Sequence, residues 1–232
     1  MATPPPPSIR DQAFLDACID GIRTYTTEPG GPFEVKRTRV NGVNSLAFNS
    51  LGLSSTLGGL FEAELKLHPQ QNVCYVTDTG EALSFAAARR QICSLAAGYS
   101  QVLGVVTGER VAICLRNCPE WCLSFLATVA AGAIAVPLNS LWQSRELAFG
   151  LQDSGSKVVV CDIERLQRLN LSELRSVTAV LVNGDESQRQ SHVEHYKHLV
   201  RAGGAASDSW PHPKPAVTVD DDAVIMCMYC RA

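Results

Sequence analysis

This 232-residue chain has no excess of either charge, no apolar run long enough to cross a bilayer and no dense cysteine framework. A formal net charge of −3 gives no basis for attraction to polyanions or anionic lipid, so nucleic acid is a poor expectation. The longest apolar stretch, Phe125 to Leu138, is broken by Thr128 and Gly132 and meets Pro137, short of the ~20 residues that span hydrocarbon. Residues 1–10, with Pro4, Pro5, Pro6 and Pro7, lack the apolar run of a secretory signal and read as a disordered leader. Nine cysteines, an odd number scattered along a mid-sized chain, fit a reducing interior, and the cytoplasm is the expected location. No internal repeat is evident. No Gly-x-Gly-x-x-Gly loop follows any apolar run, which counts against a dinucleotide-binding domain.

What is present is apolar material for a sizeable core, 46% of the residues. Phe14, Leu15, Cys18, Ile19 and Ile22 suggest a short helix in the leader, and residues 35–59 show no clean period and read mostly as loop. A helix is expected from Leu60 to Leu67, stopped by Pro69, then a strand over Val73–Thr77 and a turn at Asp78-Thr79-Gly80. Phe85, Ala88, Ile92, Leu95, Ala96, Tyr99 and Leu103 recur at 3.6-residue spacing, with Ser84 as N-cap and Gly104 as C-terminal stop. Apolar strands follow at Arg110–Leu115, Ala133–Val136, Val158–Cys161 and Val177–Val182. Between them lie a helix opened by Pro119, one capped by Ser144, and a Leu/Arg segment. Residues 183–217 read as a long surface connection with one polar helix, and Asp222–Met228 as a final strand. Strands apolar on both faces, alternating with helices, imply an α/β fold with a parallel sheet flanked by helices.

Several linked blocks carry a family resemblance. Leu95-Ala96-Ala97-Gly98-Tyr99 leads to Gly108-Glu109-Arg110-Val111-Ala112-Ile113, then to Arg116-Asn117-Cys118-Pro119-Glu120-Trp121. Gly132-Ala133-Ile134-Ala135-Val136-Pro137-Leu138-Asn139, Glu146-Leu147 and Asp153-Ser154-Gly155-Ser156-Lys157-Val158 continue the series. In this order they resemble the N-terminal portion of the adenylate-forming superfamily, of acyl-CoA synthetase type. Each block also has a plain structural reading: glycines at turns, a proline at a helix start, branched residues in strands.

The resemblance implies residues 1–59 as a variable, partly disordered leader and 60–232 as a truncated N-terminal subdomain of the adenylate-forming large domain. In the family a strand like Asp221–Met226 leads into a Thr/Ser/Gly-rich loop with a lysine that wraps the ATP triphosphate. Here Cys227-Met228-Tyr229-Cys230-Arg231-Ala232 follows, without glycine, serine or threonine. The resemblance therefore implies an N-terminal fragment of an AMP-dependent carboxylic acid–CoA ligase, inactive alone; the complete family enzyme would use ATP, Mg2+, CoA and a carboxylic acid. The alternative is a non-catalytic module that binds a protein partner through uncovered sheet surface.

No residue is assigned a catalytic, cofactor-binding or metal role. Cys227 and Cys230 form a C-x-x-C pair without a second ligand pair. Cys114, Cys118 and Cys122 recur every fourth residue, but Pro119 separates a strand end from a helix start. His192, His195 and His198 have a spacing that could serve a metal on one helix, although their polar neighbours suggest a solvated helix. Asp220, Asp221 and Asp222 read as a polar strand entrance rather than a cation site.

Overall fold

The structure, a computed structural model, describes residues 16, 29, 34–40, 43–48, 56–75, 80–185, 190–204, 209–213 and 215–226. The chain falls into two compact units, Met1–Leu53 and Ser54–Ala232. In the first, β1 (Val35–Val40) and β2 (Val43–Phe48) pair antiparallel, with Val40 opposite Val43. This overturns the expected loop. Asn41-Gly42, the dipeptide best suited to a two-residue hairpin turn, stands between the strands in sequence and was the overlooked signal. The expected leader helix lies outside the described residues except for Asp16.

In the second unit α1 (Leu57–Leu67) begins at Thr56, whose side chain accepts from the Gly59 amide. β3 (Asn72–Tyr75) and the unforeseen short strand β4 (Ala82–Ser84) form an antiparallel pair. α2 (Phe85–Leu103) matches its expectation: Ser84 Oγ accepts from the Ala87 amide at 3.2 Å, and Gly104 ends the helix at φ 68°.

β5 (Arg110–Cys114), α3 (Pro119–Ala130), β6 (Ile134–Pro137), α4 (Ser144–Ser154), β7 (Val158–Cys161), the single-turn α5 (Ile163–Leu166) and β8 (Thr178–Leu181) then alternate. Gln143, not Ser144, caps α4, because the Glu146 carboxylate accepts from the Gln143 amide at 2.9 Å. The segment expected as a surface connection with one polar helix does supply a helix, α6 (Tyr196–Gly203), and adds the unforeseen strand β9 (Val193–His195) before it. Polar residues on one side of a short helix hid its other side, where Tyr196, Leu199 and Gly203 are buried at spacings of three and four.

The five parallel strands run in the order β6-β5-β7-β8-β9. Alternate residues build two cores. Val111, Ile113, Val158, Val160 and Val180 face α2, α3 and α6, whereas Ala112, Cys114, Val159, Cys161 and Ala179 face Leu147 and Leu151 of α4. The final strand expected at Asp222–Met228 is reduced, within the described residues, to one parallel bridge between Val224 and Ala135 of β6. Ala135 donates to the Ala223 carbonyl and Ile225 donates to that of Ala135, both at 2.9 Å.

Gly98 in the sequence block has a packing role. A Cβ there would stand 2.4 Å from the Leu199 carbonyl oxygen, and one on Gly203 would stand 1.8 Å from that of Ser94. Only hydrogen at both positions lets α2 and α6 approach this closely. Gly203→Ala is expected to destabilise the fold by about 1–3 kcal/mol, the usual overpacking range. A urea titration should show a lower midpoint at unchanged slope, and an unchanged midpoint would contradict the close crossing.

Candidate functional site

The connection from β5 to β6 carries α3 on one face of the sheet, while α4 and α5 lie on the other. The direction of winding therefore reverses at β5 and β7. At such a switch the loops leaving the carboxyl ends of the two strands diverge and leave a crevice, the usual ligand site of open α/β sheets. Here it is bordered by Arg116 and Asn117 after β5, Asn139–Trp142 after β6 and Asp162 after β7.

Arg165 organises this edge. Only 1% exposed, it donates from Nε to the Ser140 carbonyl at 3.0 Å and from Nη1 to Asp162 and Glu164, each at 2.9 Å. Arg168 Nη1 donates to the carbonyls of Ser140 and Trp142 at 3.0 and 3.1 Å, and its Nη2 pairs with Glu164. Asp162 Oδ1 also accepts from the Arg165 amide, which caps α5. Two arginines thus fix the loop between β6 and α4 through its carbonyls, a task suited to a rigid fork of donors. Sequence reasoning missed both. The available signal was Asp162 at a helix start, three residues before Arg165.

Burial favours the neutral thiol form of the cysteines at this edge. Cys114 lies opposite Cys161 across β5 and β7. Burial pushes the Cys114 thiol up to about 12 against the opposing pull of Arg165, and burial raises Cys161 further. Cys118 stands at the N-cap of α3 and Cys122 is exposed on that helix, so the three regularly spaced cysteines occupy a strand end, a cap and a surface. Cys227 and Cys230 lie outside the described residues.

The histidine spacing also disperses. His192 sits in a turn at φ 61°, His195 is buried at the end of β9, and His198 on α6 contacts Glu194 at 2.9 Å. The three do not share a helix, contrary to the solvated helix expected. Asp221 accepts from the amide and hydroxyl of Thr218 at 2.7 and 2.9 Å, and these bonds, the amide's first, hold its carboxyl below the usual range. Among the described residues no three His, Cys, Asp or Glu side chains gather as metal ligands.

At the opposite, amino edge of the sheet two sequence blocks meet. Arg110 donates from Nε to the Ser154 carbonyl at 3.0 Å and from Nη2 to that of Gly155 at 3.1 Å, closing the last turn of α4. Beside it Glu109 accepts from the Val106 amide at 3.0 Å and pairs with Lys157 at 2.5 Å. A cleft of about 350 Å³ opens near the start of β6, where Gly132 (φ 76°) lies so close to Pro213 that a Cβ would approach it to 2.6 Å.

A parallel sheet flanked by helices matches the N-terminal domain of adenylate-forming enzymes. The chain belongs to the AMP-binding enzyme family, whose profile matches residues 61–230. It is 35% identical over 86 residues to the long-chain-fatty-acid–CoA ligase FadD13 of Mycobacterium tuberculosis, covering 37% of this chain and 17% of that protein. It is 33% identical over 148 residues to 4-coumarate–CoA ligase 5 of Oryza sativa subsp. japonica, covering 64% of this chain and 25% of the relative. In three dimensions it resembles the anthranilate CoA ligase AuaEII solved with anthranoyl-AMP, with a TM-score of 0.59 and 19% identity over 71% of this chain and 30% of that one. The N-terminal domain of FACL13 from Mycobacterium tuberculosis gives a TM-score of 0.58 with 22% identity, covering 73% of this chain and 41% of that one. The chain spans a quarter or less of the length of these two curated relatives.

Two outcomes test this geometry. Arg165→Leu removes the donors that hold Ser140, Asp162 and Glu164, and is expected to lower stability by about 2 kcal/mol, moderated because the stranded carboxylates reach water. Thermal melts of this variant and of Arg165→Lys check it, and a melt unchanged by Leu would remove Arg165 from its organising role. For Glu109, burial alone would raise the pKa, but the bonds from Lys157 and the Val106 amide bring it below the ordinary 4.5. A depressed carboxyl stabilises the fold above its unfolded-state pKa, and this contribution is lost as pH falls through the folded value. The stability gap between the parent chain and Glu109→Gln should thus be full near neutral pH and close below pH 4.5 in denaturant titrations.

Proposed function

We propose that this chain provides the N-terminal part of a carboxylic acid–CoA ligase that uses ATP and Mg2+ to form an acyl-adenylate and then passes the acyl group to coenzyme A. The observation that carries the reading is the family match over residues 61–230, whose blocks the fold uses as joints. In the first step a substrate carboxylate oxygen bonds to the α-phosphorus of ATP as pyrophosphate leaves. In the second the CoA sulfur bonds to the acyl carbon, the C–O bond to AMP breaks, and the thiol proton is given up. The chain's own residues serve by position: Arg165 and Arg168 hold the loop after β6, and Arg110 closes α4.

The same reading takes residues 60–232 as a subdomain of the large domain and places the protein in the cytoplasm, supported by its cysteine usage. Among the described residues no helix is long and apolar enough to cross a membrane. A second reading, a non-catalytic module that docks a protein along β6, is favoured by the single bridge on that strand and by the exposure of Val219 and Met226.

The test is to assay the full-length protein for acid-dependent pyrophosphate release with ATP, Mg2+, CoA and a panel of alkyl and aryl acids. The expected result is release with at least one acid. Failure of every acid with a folded protein would sink the ligase reading and leave the docking module.

A further inference from the structure

The last turn of α1 and the second turn of α2 enclose a cleft of about 300 Å³ lined by Leu65, Lys66, Pro69, Ala86, Arg89 and Arg90. Its polar character is entirely cationic. Lys66 is matched by Glu62 at 2.5 Å. Among the described residues neither Arg89 nor Arg90 has a carboxylate or carbonyl partner, and Arg89 Nε is buried without any acceptor. Arg165 also leaves one nitrogen, Nη2, buried without an acceptor, but its other donors, like those of Arg110 and Arg168, are engaged with carbonyls or carboxylates. A buried guanidinium nitrogen left without an acceptor is costly, and the local charge surplus is two.

We infer that this cleft is a binding site for a phosphate dianion, as inorganic phosphate or the terminal group of a phosphomonoester, held by the forks of Arg89 and Arg90. Two surplus cations match the charge of a dianion, and planar guanidinium donors suit its oxygens. The start of α2 is not what attracts it. The amides of Phe85 and Ala86 are already taken by the carbonyls of Gln71 and Pro69 at 2.8 and 2.9 Å. Leu65, Pro69 and Ala86 line the cleft beside the cations. The cleft lies between α1 and α2, away from the carboxyl edge of the sheet, and its occupancy is independent of the ligase reading.

Titration calorimetry of the 232-residue chain with inorganic phosphate at low ionic strength tests the site. Saturable binding is expected, weakened about tenfold by Arg89→Gln and by Arg90→Gln. Arg145→Gln, a change to an exposed arginine on α4, should leave it unaltered. Arg90 is exposed, so its variant keeps the fold should Arg89→Gln not, and a melt of each verifies this. Flotation with phosphatidylcholine vesicles containing phosphatidic acid separates the sources of the group. Vesicle binding that Arg90→Gln abolishes, without binding of free phosphate, assigns the dianion to a lipid headgroup. No binding of either probe, or binding that both variants retain in full, overturns the site.

Discussion

Arg110 reaches from the first residue of β5 to the carbonyls of Ser154 and Gly155, where α4 ends and the chain turns into β7. Helix ends leave carbonyls without intrahelical partners, and a cation that satisfies them also meets the negative end of the helix dipole. This contact sets where β7 begins relative to β5, so that Val111 lies opposite Val158 and Cys114 opposite Cys161. A slip of one residue would turn every inward side chain of β7 to the wrong core. The two cores, the switch at β5 and β7, and the loops at the carboxyl edge all follow from that register.

The two edges of the sheet use arginine alike. Arg110 at the amino edge and Arg165 with Arg168 at the carboxyl edge bind mainly backbone carbonyls, and so fix chain direction instead of presenting charge to solvent. In the family context these are the joints of a scaffold. Arg89 and Arg90 depart from this pattern because no backbone acceptor claims them.

The regular elements were legible where one signal dominated. The period of α2 and its caps at Ser84 and Gly104, the Pro119 start of α3 and the continuous apolar strands each depend on neighbours in the chain. The hairpin of β1 and β2, strand β9 and the buried side of α6 were less legible, because each is short and its apolar residues are few. The histidine spacing misled for a related reason: a strand-to-helix change at His195 breaks the periodicity that would have aligned His192 and His198.

By itself the sequence determined the α/β class, the order of elements from α2 through β8 and, through its linked blocks, the family. Those properties rest on local periodicity and turn chemistry, which a linear reading reaches. Only the tertiary structure decided the strand order, the distribution of side chains between two cores, the pairing of Arg110 with the end of α4 and of Arg165 with the loop after β6, and the contact of Gly98 and Gly203 with neighbouring backbones. Each joins residues far apart in the chain, and whether two such groups meet is set by the close packing of helices on the sheet, which no single segment encodes.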